Sequence, residues 1–155
     1  MFIWLASYPK SGNTWLRSLL ASYYYSKSGN FDFNLLNNID QFPSVNYFKN
    51  DQDLYLKPED TSKKWITKQK EINTDKKIKL FKTHNAICKI NNNPFTDEKN
   101  TLGAIYVVRD PRNVITSLAN HYQISRNEAL NFMNDEKRAL IEKKDERFLG
   151  FIALF

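Results

Sequence analysis

The fold class is decided by the first 25 residues, MFIWLASYPK SGNTWLRSLL ASYYY. Residues 2–7 form a short apolar run without clear alternation, which is typical of a strand buried in a parallel sheet. This run ends at Pro9 and Gly12, and from residue 13 to residue 25 the apolar side chains recur at helical spacing. The segment therefore predicts a strand, a tight loop and a helix.

Two further strands and a helix are predicted downstream. Residues 78–83 alternate and then stop, and residues 104–108 read Ala-Ile-Tyr-Val-Val, an uncharged run rich in β-branched side chains. Pro111 suits the first turn of a helix that follows. Alternating strands and helices favour an α/β fold with a central parallel sheet.

The remaining segments give local predictions. Residues 26–60 are interpreted as loop with short turns, and residues 61–73 as a helix capped by Thr61 or Ser62. The segment from Asn91 to Pro94 is typical of a turn. The capping box that begins at Ser125 predicts a helix reaching about residue 143.

Composition limits the class of protein. A chain of 155 residues predicts one domain, 1–155, and the net charge of +6 suits a polyanionic small molecule, a nucleic acid or an anionic surface. The lysines are scattered among acidic residues, which argues against a nucleic-acid arm. A single cysteine, Cys88, excludes an internal disulfide and provides no metal cluster. With no signal peptide and no apolar run of about 20 residues, we expect a cytoplasmic protein without a membrane span.

The loop between the first strand and the first helix predicts an anion site. The first N–H groups of a helix lack internal partners, and the positive end of the helix dipole points at the loop. Lys10 adds a charge, Ser11 and Thr14 add hydroxyl groups, and Gly12 allows close backbone approach. The order of residues is not that of a Walker A loop. On this pattern alone, an ordinary strand-to-helix turn remains an alternative.

Residues 8–17, Tyr-Pro-Lys-Ser-Gly-Asn-Thr-Trp-Leu-Arg, resemble the 5′-phosphosulfate-binding loop of the sulfotransferase family. The resemblance implies a P-loop-like, three-layer domain that uses 3′-phosphoadenosine 5′-phosphosulfate (PAPS) and requires no metal. Lys10 would also stabilise the bridging oxygen as its bond to sulfur breaks. The residues that the resemblance assigns to the 5′-phosphosulfate are Lys10, Ser11, Gly12, Asn13, Thr14 and Trp15.

A second motif follows the clearest predicted strand. Arg109 ends that strand and Ser117 lies about two turns into the next helix, so both could face the carboxyl edge of the sheet. An arginine fork and a hydroxyl suit a phosphate, although a solvated turn is the alternative for Arg-Asp-Pro-Arg. Residues 105–117 resemble the 3′-phosphate-binding segment of sulfotransferases. The resemblance implies that Arg109 and Ser117 bind the 3′-phosphate, while Arg112 braces the turn or neutralises the field nearby.

A third motif, Lys82-Thr83-His84, ends the second predicted strand. Alternation places Lys82 and His84 on one face, and a nearby cation favours the neutral, proton-accepting imidazole. A structural histidine is the alternative. In sulfotransferases the catalytic histidine occupies this place, which implies that His84 takes the proton from the acceptor and that Lys82 stabilises the sulfuryl group. His121 is interpreted as a packing or dipole residue at a helix end.

The resemblance covers residues 2 to about 122 and then fades, and no Gly-x-x-Gly-x-x-Lys segment follows Ser117. We therefore expect the donor-binding half of a longer sulfotransferase, incomplete at its C-terminus, with a small-molecule or glycan acceptor. The oligomeric state is not predicted. Two alternatives stay open: a non-catalytic remnant that binds nucleotide weakly or not at all, and a P-loop phosphotransferase.

Overall fold

The computed structural model describes residues 1–49, 58–135, 139–144 and 147–152. At its centre lie three parallel strands, β1 (Phe2–Ser7), β2 (Lys79–Thr83) and β5 (Thr101–Val107). They form one sheet in the order β2-β1-β5. The predicted α/β class with a central parallel sheet is confirmed.

The central strand β1 is covered on both faces, which explains why its sequence is an almost unbroken apolar run. Leu5 packs on one face with Ala21 and Ile39. Phe2 and Trp4 point to the opposite face. There they meet a cluster of buried aromatic side chains, which comprises Phe42, Phe48, Trp65, Phe81 and Phe95. These rings bury a large apolar area and dominate the core on this side of the sheet.

The helices that position the site follow β1 and β5. Helix α1 spans Asn13–Tyr25, as predicted. Helix α4 spans Pro111–Tyr122, with proline in its first turn and the Asp110 carboxylate accepting from the backbone N–H of Arg112. The predicted capping box at Ser125 begins helix α5 (Arg126–Asn134).

The predicted helix over residues 61–73 is wrong in its boundaries. Two helices, α2 (Pro58–Ser62) and α3 (Trp65–Ile72), replace it. Thr61 and Ser62 belong to α2 and are buried, and the Ser62 hydroxyl donates to the Glu59 carbonyl at 2.8 Å instead of capping α3. The break between the two helices brings Trp65 into the aromatic core.

The helix that follows Ser125 is shorter than predicted. It ends at Asn134, and later residues form strand β6 (Ala139–Lys144). This strand pairs in antiparallel fashion with β7 (Arg147–Ile152). Strand pairing overrides the local helical preference of the segment. The apolar residues 148–152 lie in β7, and residues 153–155 lie outside the described residues.

The connections contain short regular elements. Two 3₁₀ helices, Phe33–Asn38 and Val45–Tyr47, lie within the predicted loop of residues 26–60, of which 50–57 are outside the described residues. Of the turn predicted from Asn91 to Pro94, only residues 91–92 form the turn, and they join the two-residue strands β3 (Lys89–Ile90) and β4 (Asn93–Pro94). No helix in the described part of the chain is long and apolar enough to cross a bilayer.

Candidate functional site

The carboxyl ends of the three parallel strands meet at one edge of the sheet. Ala6 of β1 is level with Thr83 of β2, and Ser7 is level with Val107 of β5. The anion loop, residues 8–12, therefore leaves the sheet between the segments that carry His84 and Arg109. This is the edge at which open α/β sheets bind their ligands.

The anion loop leads directly into the N-terminus of α1. Lys10 and Gly12 both adopt positive φ, 66° and 105°, and Gly12 occupies the N-cap position. Within the described residues, no side chain caps this helix. The first N–H groups of α1 can therefore serve an anion.

The backbone of Gly12 gives a testable stability prediction. Because a φ of 105° is unfavourable for a residue with a Cβ atom, we expect Gly12→Ala to lower the free energy of unfolding by about 1–2 kcal/mol. The new Cβ would lie 3.9 Å from Val107 Cγ1, an ordinary contact, so backbone strain is the expected cause. Urea unfolding measures the loss. Gly103→Ala is the control, because a Cβ there meets open space, and equal stability of Gly12→Ala and the parent chain would contradict the prediction.

Arg109 joins the end of β5 to the anion loop. Its Nη1 donates to the Lys10 carbonyl at 3.1 Å, and the residue is exposed. The structure thus brings the first and second sequence motifs together. Ser117 is half-buried on α4, and its hydroxyl makes no hydrogen bond within the described ranges of the chain.

Arg112 braces the turn before α4, as expected from the sequence. Its Nη2 lies 2.5 Å from Oδ2 of Asp110. The same carboxylate caps α4, and the hydrogen bonds from Arg112 hold the pKa of Asp110 below its usual range. Arg112 is therefore engaged with its neighbour, whereas Arg109 reaches the loop.

The end of β1 holds His84 in one orientation. Nδ1 of His84 lies 2.8 Å from the Ser7 carbonyl oxygen. Because a carbonyl can only accept, this contact requires a proton on Nδ1 and leaves a lone pair on Nε2. The pKa of His84 is lowered to about 4. Burial is the largest cause, and the positive charges of Lys82 and Arg17 act in the same direction. The imidazole is therefore neutral near pH 7, with Nε2 able to accept a proton.

Lys82 is anchored from the outer side of β2. Its Nζ donates to Gln41 Oε1 at 2.8 Å. The backbone supports this contact, because the Lys82 N–H donates to the Asp40 carbonyl at 2.8 Å and Gln41 forms an isolated parallel bridge with Lys82. As alternation predicts, Lys82 and His84 are both partly buried while Thr83 between them is buried. The structure thus places the third motif beside the first.

The sulfotransferase domain family matches residues 2–153. The chain belongs to the sulfotransferase family. The match extends beyond residue 122, the point at which the resemblance is expected from the motifs to fade. Comparisons with curated proteins and with solved structures found no match.

Sequence reasoning gives no role to Arg17 of this sulfotransferase domain and a different role to Asn13. Arg17 of α1 donates from Nη2 to the carbonyls of Leu36 and Ile39 at 3.0 and 2.6 Å, and its charge acts on His84. Asn13, predicted to bind the donor, is buried, and its side chain points back toward β1. The sequence holds no signal for either orientation, since both depend on contacts with distant segments.

A cavity of about 240 Å³ opens beside the loop of the sulfotransferase domain. Its walls come from the anion loop, the end of β5, the start of α4 and α5. Polar groups of Ser11 and Arg109 face an otherwise mainly apolar lining, which suits an anionic ligand with an apolar part. The residues that line it are Tyr8, Ser11, Tyr106, Val107, Val108, Arg109, Pro111, Val114 and Met133.

Proposed function

We propose that this sulfotransferase domain transfers a sulfuryl group from PAPS to a hydroxyl or amine of a small-molecule or glycan acceptor. The observation that carries the proposal is the hydrogen bond between Nδ1 of His84 and the Ser7 carbonyl. It leaves a neutral, proton-accepting Nε2 beside an anion loop at the ligand-binding edge of the sheet. An anionic donor and an acceptor that must lose a proton are the two reactants that such a site suits.

The donor fits the residues at this edge. The exposed Thr14 and Trp15 surround the uncapped start of α1, and Ser11 and Arg109 line the adjacent cavity. We assign the 5′-phosphosulfate to residues 10–15 and the 3′-phosphate to Arg109 and Ser117. Since the Asn13 side chain faces the interior, its backbone N–H is the group offered to the donor. The donor carries several negative charges, so its binding would give the net charge of +6 on the protein a specific use.

The chemistry requires positioning and charge stabilisation more than covalent catalysis. PAPS, when bound, supplies the sulfuryl group, whose sulfur gains a bond to the acceptor oxygen or nitrogen and loses its bond to the bridging oxygen. His84 Nε2 takes the acceptor proton. Lys10 stabilises the negative charge that develops on the leaving oxygen, and Lys82 stabilises the transferred group. The released product is adenosine 3′,5′-bisphosphate (PAP).

The low pKa of His84 leads to a prediction about pH. Protonation of Nε2 removes the base, so the rate falls as pH drops through the pKa of His84, which is about 4 in the free protein. Negative charges of a bound donor stabilise the imidazolium and raise this pKa. We therefore expect the acid limb of kcat to lie at higher pH than the acid limb of kcat/KM for PAPS. Steady-state rates between pH 4 and 8 test this, and coincident limbs would contradict it.

Two measurements test the proposed function and separate it from its alternatives. Thermal shift with PAP tests binding, and transfer of labelled sulfate from PAPS to a panel of phenols, amines and sugars tests activity. Binding of PAP together with transfer supports the proposal. Binding of ATP with Mg²⁺ but not of PAP would instead support a phosphotransferase, and binding without transfer to any acceptor would support a non-catalytic remnant.

A further inference from the structure

The anion loop opens with a tight turn from Tyr8 to Ser11. The backbone N–H of Ser11 donates to the Tyr8 carbonyl at 3.2 Å. Pro9 is the second residue of the turn, and Lys10, the third, has a φ of 66°. Proline at the second position and a positive φ at the third are the pattern of a type II turn, whose third position favours glycine or asparagine. Lys10 therefore holds a backbone conformation that a residue with a long side chain disfavours.

A distant arginine supports this turn. Nη1 of Arg109 donates to the Lys10 carbonyl at 3.1 Å, across 99 positions of the chain. Arg109 lies two residues after the end of β5, and β5 pairs with β1, the strand that leads into the loop. The sheet thus fixes the point from which the guanidinium reaches the loop. An unfavourable backbone conformation persists when its surroundings hold it, and this hydrogen bond is such a hold.

The contact with the loop leaves most of the guanidinium available to a ligand. An arginine side chain carries five N–H donors in a planar fork. The hydrogen bond to Lys10 comes from Nη1. Arg109 is exposed and lines the cavity beside the loop. The same side chain can therefore support the turn and bind an anion at the same time.

We propose that Arg109 is a positioning residue for the anion loop: through the Lys10 carbonyl it holds the conformation in which the loop receives the 5′ end of the donor. The inference rests on the proposed function and adds to the 3′-phosphate contact assigned to Arg109. Its consequence is a coupling between the two ends of the donor, because one side chain serves both. Binding of a ligand that has no 3′-phosphate should therefore also depend on Arg109.

The effect on the loop can be measured without any ligand. Exchange of the Ser11 amide proton, followed by NMR, reports the opening of the turn. We expect exchange to be about fivefold faster in Arg109→Ala than in the parent chain, the factor that corresponds to a net hydrogen-bond contribution of about 1 kcal/mol. Glycine at position 10 tolerates the positive φ. In a Lys10→Gly background, Arg109→Ala should therefore accelerate the exchange by less than it does in the parent chain.

Two nucleotides separate the positioning role from the phosphate contact. PAP carries both phosphates, and adenosine 5′-monophosphate (AMP) carries only the 5′-phosphate. By calorimetry, we expect Arg109→Ala to raise the Kd of both, that of AMP by about fivefold. Ser117→Ala removes a group assigned to the 3′-phosphate, so it should raise only the Kd of PAP. Arg112→Gln is the matched charge control, because Arg112 lies close to Arg109 but donates to Asp110. It should leave the Kd of AMP within about twofold.

Parent-like exchange of the Ser11 amide in Arg109→Ala would overturn the proposal, and so would an unchanged affinity of that variant for AMP. Either result would leave Arg109 as a contact for the 3′-phosphate only. Equal weakening of AMP binding by Arg112→Gln would attribute the effect to positive charge near the loop, and an undiminished effect of Arg109→Ala in the Lys10→Gly background would separate it from the φ of residue 10; both contradict the proposal. A parent chain that binds neither nucleotide would contradict the proposed function, while the exchange measurement would still decide whether Arg109 supports the turn.

Discussion

Replacing His84 with alanine is expected to lower kcat for sulfuryl transfer by about 10²–10⁴-fold, the usual contribution of a positioned general base. The Kd of PAP should change by no more than about twofold, because the imidazole contacts the end of β1 and is assigned to the acceptor. Single-turnover transfer from labelled PAPS measures the rate, and calorimetry with PAP measures binding.

A second substitution at the same position distinguishes loss of the general base from loss of folding stability. In His84→Asn the amide can donate to the Ser7 carbonyl in place of Nδ1–H, but it offers no basic nitrogen. We expect His84→Asn to be as inactive as His84→Ala and more stable. His121→Ala, on the last turn of α4, should retain the parent rate. Transfer that survives in both His84 variants would show that another group accepts the proton.

Lys10→Ala should weaken both binding and rate, in contrast to His84→Ala. A charge-assisted hydrogen bond is worth about 1.5–3 kcal/mol, which corresponds to a Kd for PAP raised by about 10–150-fold. A hydrogen-bond donor placed where negative charge develops in the transition state contributes a further factor of about 10²–10³ in kcat. Because Lys10 already adopts a φ of 66°, alanine adds no new backbone strain. Its carbonyl, which accepts from Arg109, is retained.

Lys99→Ala is the matched control for charge. Lys99 is exposed and lies just before β5, at the amino edge of the sheet and therefore opposite the site. Both variants reduce the net charge by one, but only Lys10→Ala should alter Kd and kcat. Titrations at about 50 and 200 mM salt check the assignment, because loss of a phosphate contact reduces the dependence of Kd on salt. Equal effects of the two variants would indicate that the overall electrostatic field of the protein, and not a direct contact from Lys10, favours binding of PAP.

The sequence predicts the parts of the fold that local patterns determine. The unbroken run of β1, the helical spacing of α1, and Pro111 at the start of α4 each carry their own signal, and the structure has all three elements. The boundary after Asn134 could not be predicted, because β6 exists through pairing with β7, which is a contact between two segments. The break before Trp65 likewise depends on the aromatic core that receives it.

The candidate site also has features that the sequence predicts and features that depend on contacts between distant segments. Sequence motifs identify Lys10, Arg109 and His84, and the structure brings their segments to one edge of the sheet. The motifs offer a lysine as the reason for a neutral His84, whereas burial is the larger cause of its low pKa. Burial of a residue that follows a strand depends on the segments that cover it. For the same reason the inward orientation of Asn13 could not be predicted from its place in the chain.

The covered imidazole of His84 also links folding to proton uptake. Between pH 6.5 and about 4 the unfolded chain binds a proton at His84 and the folded chain does not. Stability therefore falls as pH drops through this window, and it is unaffected by His84 above it. At about 1.4 kcal/mol for each pH unit, the full loss is about 3 kcal/mol, reached near pH 4. The arrangement that keeps the base ready at neutral pH thus lowers the stability of the folded domain in acid.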